Sequence, residues 1–110
     1  MTEQDIELTR LAAKAANIKL EQGTTRLAGI MQTWRPRDDD GDALRLGVKL
    51  KIMLDYIEKG DMAGCVVAVA SEDVAAYEPY YPNPNAATRR AILRAAAEIG
   101  KAMLETEGTV

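Results

Sequence analysis

Apolar residues recur along this chain with two periods, one helical and one extended. Over residues 3–16, Leu8, Leu11, Ala12 and Ala15 return every three or four positions, with Glu7, Arg10 and Lys14 on the other side. That spacing predicts an amphipathic helix. Thr2 and Asp5 stand before it as a capping box, and Asn17 can close it in a left-handed turn. A second helix is predicted after Gly41, capped by Asp40 or Asp42 and ending near Leu50. Its stripe is Ala43, Leu46, Gly47 and Leu50, with Leu44 and Val48 beside it and Arg45 and Lys49 on the flank. Asn83-Pro84 opens a third, pairing a capping side chain with proline at the first helical position. Ile92, Ala95, Ala96, Ile99 and Met103 form its buried stripe, while Arg90, Arg94, Glu98 and Lys101 cover the outside.

Between the helices the period shortens. Ile18-Lys19-Leu20-Glu21 and the run Leu27 to Gln32, joined through Gly23, predict a short hairpin with a bulge at Gly29. Ile52, Leu54 and Tyr56 alternate with Met53 and Asp55, and Glu58-Lys59-Gly60-Asp61 is turn chemistry. Gly64 to Ala70 is β-branched and almost wholly apolar, which reads as a buried strand completing a second hairpin. Ser71 to Tyr81, rich in tyrosine and proline, predicts a loop. The expected fold is a single α+β domain over residues 1–110, in the order α-β-β-α-β-β-α. Its two hairpins join into one antiparallel sheet packed with three helices.

Composition narrows this picture in three ways. Eighteen alanines and no phenylalanine imply a thin core whose elements approach closely. The net charge is −3, with no segment basic enough to attract phosphate backbones by charge alone. Cys65 is the sole cysteine, so an intrachain disulfide is impossible and a reducing, cytoplasmic setting fits. No stretch approaches the roughly 20 apolar residues of a membrane span, and the first residues lack a secretory pattern. A soluble cytoplasmic protein with no membrane partner is expected.

The most distinctive stretch is Trp34 to Leu50. It resembles a motif of small phage and prophage proteins: Trp-Asn-Pro-Leu, one or two residues, then Asp-Asp-Gly-Asp-Ala-Leu-Arg-Leu-Ala-Val-Lys-Leu. Ala87 to Gly100 is similar to the closing helix of the same proteins, Ala-Thr-Arg-Arg-Ala-Ile-Val-Arg-Ala-Ala-Ala-Glu-Ile-Gly, and Leu11 to Ala16 fits their opening. A weaker likeness links the chain to phage α-β-α sandwich domains. The resemblance implies phage-related origin and brings no established activity. This chain departs from the motif at Arg35 and Arg37, which replace asparagine and leucine, and at Gly47, which replaces alanine.

Candidate chemistry is sparse. The run Asp38-Asp39-Asp40-Gly41-Asp42 invites a metal, and Asp38, Asp40 and Asp42 are the minority reading for weak Mg²⁺ or Ca²⁺ binding. A calcium loop counted from Asp38 needs glycine sixth and glutamate twelfth; the chain has Ala43 and Lys49 there. Helix capping is the favoured role of these acids. There is no histidine, no phosphate-binding glycine loop and no partnered nucleophile. The expectation is therefore a protein that is not an enzyme and needs no cofactor. Arg89, Arg90 and Arg94, joined by Arg35, Arg37 and Arg45, form a less favoured nucleic-acid face, and a metal-dependent enzyme centred on the aspartates is a further alternative. Tyr77, Tyr80 and Tyr81, with Arg35 and Arg37, are residue types that anchor protein interfaces. They are the candidate partner-binding residues, for an unknown host or phage protein or a homodimer, while Trp34 is expected to plug the core.

Overall fold

A computed structural model describes residues 2–22, 24–29 and 32–108. The elements follow in the order α1 (Glu3–Ala15), α2 (Asp40–Leu50), β1 (Met53–Ile57), β2 (Cys65–Ser71), β3 (Val74–Pro79) and α3 (Pro84–Gly108). The class is α+β with three helices and one antiparallel sheet, ordered β1-β2-β3. The expected order of four strands in two hairpins is not what forms.

The helix termini fall where the chain's chemistry puts them. Thr2 and Asp5 make both bonds of a capping box at the start of α1, and Asn17 turns the chain out at φ 56°. Asn83 accepts from the Ala86 amide at 3.1 Å at the head of α3. In α2 the cap is Asp39, ahead of both expected candidates, Asp40 and Asp42, and its carboxylate accepts from the Asp42 amide. Ala43, Leu46 and Gly47 are buried as expected, but Leu44 and Val48 beside them stay largely exposed.

The second predicted hairpin forms as β1 and β2, with Asp55 opposite Val67. The first does not form as strands. Leu20 and Leu27, and Arg26 and Thr33, make only isolated antiparallel bridges. Gly29 takes φ 77°, so the chain turns inside the second predicted strand, and the Leu27 amide bonds to the Gln32 carbonyl at 2.9 Å. Gly23, Ile30 and Met31, also part of that prediction, lie outside the described residues. The predicted loop 71–81 contains β3 instead. After a turn at Glu72-Asp73, Val74, Ala76 and Glu78 point toward α3, and the charge at Glu78 masks the alternation.

Helix α3 organises the molecule. One side, Ala87, Ala91 and Ala95, packs on Val66, Ala68 and Ala76 of the sheet. Another, Ile92, Leu93 and Ala96, packs on Ala12, Ala13 and Ala16 of α1, Ala43 and Leu46 of α2, and Trp34. Alanine on both sides lets the backbones approach closely, which fits a chain with eighteen alanines. Because α3 lies on one face of the sheet and α1 and α2 pack principally on α3, the sheet's outer face carries no helix among the described residues.

Candidate binding surface

The stretch from Trp34 to Asp42 is a structural clamp. Trp34 and Pro36 are buried, as the core role of the tryptophan requires. Asp42 accepts from the Arg35 amide at 2.9 Å and from the Arg45 guanidinium at 2.7 Å. Arg89 of α3 reaches across to donate to the Arg37 carbonyl at 2.8 Å and to Asp40 at 2.5 Å. Arg37 meets Asp38 at 3.1 Å and Asp5 at 3.5 Å, tying the start of α1 to the same turn. Asp38, Asp40 and Asp42 are thus drawn to separate cationic partners. Among the described residues no group of three acids, cysteines or histidines is placed to hold a metal.

The Asp5 carboxyl lies below its ordinary pKa of 3.8. The main cause is the Thr2 hydroxyl, which donates to it at 2.9 Å and so favours the ionised form. The Thr2 amide and the charge of Arg37 act in the same direction, against desolvation.

The arginines proposed as a phosphate-binding face are engaged within the chain. Arg90 pairs with Glu78 at 3.3 Å, Arg94 pairs with the same carboxylate, and Arg89 holds Asp40. Arg94 also donates to the Tyr77 carbonyl at 2.9 Å, covering backbone at the outer strand of the sheet.

The tyrosines do not form one cluster with Arg35 and Arg37. Tyr80 is half-buried against the helix-side core, edge-on to Tyr56 with ring centroids 6.2 Å apart. Tyr81 stacks obliquely on it at 4.9 Å and is 73% exposed. Tyr77 sits on β3 on the opposite face of the sheet, where its ring is exposed. Arg35 and Arg37 belong to the clamp on the helical side.

Strand pleating then defines a surface that the spacing of single residues did not reveal. Alternate side chains point to opposite faces, and Leu54, Tyr56, Val66, Ala68, Ala76 and Glu78 face the helices. The other face therefore carries three rows in register: Met53, Val69 and Ala75; Asp55, Val67 and Tyr77; Ile57, Cys65 and Pro79. Asp55 is the only charge among them. Met53 is 69% exposed and Tyr77 44%, whereas Val67 at the centre is already buried at 5%. The signal that could have found this face is β2 itself, apolar at odd and even positions alike.

A second surface lies at the shoulder of α2 and β1. A cleft of about 240 Å³ opens between Ala43, Leu44, Leu54, Tyr56, Thr88 and Ile92. The Tyr56 hydroxyl bonds to Thr88 at 3.0 Å, and the Thr88 hydroxyl itself donates to the Pro84 carbonyl. Tyr56, Thr88 and Arg89 at its rim are thus already partnered, Arg89 by Asp40, while Asn85 also lines the opening.

No family model matches the chain, and no curated protein or solved structure matches it either. No helix among the described residues is long and apolar enough to cross a membrane.

Proposed function

We propose that this chain is a non-enzymatic, phage-related accessory module of the cytoplasm that works by binding protein, itself included. One observation carries the reading: an antiparallel sheet whose outward face is apolar except for Asp55. A sheet that meets water on one face normally alternates apolar-in with polar-out, and an exposed apolar face rimmed by charge marks a contact surface. The engagement of Arg89, Arg90 and Arg94 with Asp40 and Glu78 favours a protein partner over a phosphate backbone.

Cys65 lies on this face and is half-buried, so it offers a unique attachment point. A benzophenone maleimide placed there is expected to give photo-adducts of protein mass in host lysate. Tyr77→Lys is expected to remove those adducts without changing the circular dichroism. A lack of any adduct, or adducts that persist unchanged in the variant, refutes the reading.

A further inference from the structure

We propose that the outer face of the sheet is covered by the same face of a second copy of this chain. The two-fold axis lies in the plane between the sheets, within about 15° of β2, and passes over Val67. The inference rests on the reading of the protein as a binding module and names its partner.

The first support is the composition of β2. Its inward residues Val66 and Ala68 are buried under α3, and its outward residues Cys65, Val67 and Val69 are also apolar. A strand apolar on both faces belongs in a sheet covered on both faces. This chain covers one.

The second is self-complementarity. Two sheets can stack face to face through an in-plane two-fold axis in two ways. An axis perpendicular to the strands over the middle row lays β1 over its own copy and sets Asp55 against the second copy's Asp55, two like charges in an apolar layer. An axis along the strands lays β1 over the second copy's β3. Asp55 then faces the second copy's Tyr77, whose phenol O–H can donate to the carboxylate, and symmetry makes this bond twice. The long Met53 faces the small Ala75 and Ile57 faces Pro79, while Val67 on the axis is already buried within the single chain. Stacked sheets lie about 10 Å apart and rotate by about 30°, which leaves the residues near the axis opposed. The face's one charge thus finds its hydrogen-bond donor in an identical chain.

The third is area. Three strands about 4.8 Å apart and five residues rising about 3.4 Å each give a footprint of roughly 240 Å². A standard interface removes about 800 Å² per partner. The face therefore makes a small interface, and the dimer dissociates on dilution.

The test uses the purified chain. Sedimentation velocity is expected to show dimer increasing between micromolar and millimolar protein. The two Cys65 thiols face each other across the gap near the axis. They are too distant for a disulfide, whose Cα atoms lie about 4.4–6.8 Å apart, but a short bismaleimide is expected to bridge them into a dimer of the 12.0 kDa chain. Met53→Lys puts an ammonium against the apolar second copy and is expected to raise the dissociation constant by about tenfold or more. Its circular dichroism should match the parent, because Met53 is largely exposed in the single chain. A single monomeric species at millimolar concentration overturns the proposal. So does a dimer that resists bridging at Cys65 and ignores Met53→Lys, since it uses another surface. Photo-adducts from Cys65 to a different protein, together with a monomeric purified chain, overturn the two-fold dimer and leave the binding-module reading standing.

Discussion

Two residues show how local chemistry sets stability here. Gly47 is buried in the interior of α2, where glycine costs backbone entropy, yet an added Cβ would meet Ile92 at an ordinary 3.7 Å. Gly47→Ala is expected to stabilise the fold by about 0.5–1 kcal/mol in urea unfolding. A loss of stability would mean that α2 and α3 leave no room for the methyl. Asp5 gives the pH dependence. Its pKa is depressed below 3.8 in the folded chain, so its ionised form contributes stability above that value, and the contribution is lost as pH falls through the folded pKa. Thr2→Ala is expected to raise the Asp5 pKa toward 3.8 in an NMR titration and to cost about 0.5–2 kcal/mol at neutral pH. That cost should shrink once both proteins are titrated below the carboxyl range. The Thr2–Asp5 box and the Asn83 cap were legible from sequence because capping involves residues only two or three apart. The choice of Asp39 over its acidic neighbours was not. It follows from Asp42 turning inward to hold the Arg35 amide and Arg45.

Between elements, the tightest contact is α1 against α3. A Cβ on Gly100 would lie 2.7 Å from the Leu11 carbonyl carbon and nearer still to its oxygen. Both atoms are backbone, so the helices themselves must part. Gly100→Ala is expected to destabilise the fold by about 1–3 kcal/mol in thermal unfolding; an unchanged midpoint would show that the helices pass farther apart. The buried face of α1, with Ala12, Ala13 and Ala16, makes the close approach possible. All three helices could be read from the sequence because 3.6-residue periodicity and caps are local. The strands were harder. The first hairpin was mistaken because a single glycine at positive φ reverses the chain within four or five apolar residues. Strand β3 was missed because its inward Glu78 is neutralised by Arg90 and Arg94, twelve and sixteen residues away, a pairing that no local pattern contains.

At the scale of the molecule, the sheet has a helical layer on one side and none on the other. If the sheet of a second copy covers that other side, folding and association are linked by mass action. The thermal midpoint is then expected to rise with protein concentration by calorimetry, and Met53→Lys should flatten that rise. A midpoint independent of concentration up to millimolar protein would contradict the linkage. Trp34 to Asp42 also changes meaning at this scale. It is a turn anchored by buried Trp34 and Pro36, held by Arg89 from α3 and tied through Arg37 to α1.

By itself the sequence determined the α+β class, the three helices with two of their caps, the β1–β2 hairpin and the burial of Trp34. Each of these depends on spacing or on side chains within a turn of one another. Only the tertiary structure decided the strand count, the separate destinations of the aspartates and arginines, and the division of the tyrosines between two faces. Those outcomes depend on which charges meet across long stretches of chain and on which side of the pleat α3 settles. The same docking of α3 on Val66, Ala68 and Ala76 leaves Met53, Ala75 and Tyr77 exposed on the other face of the sheet.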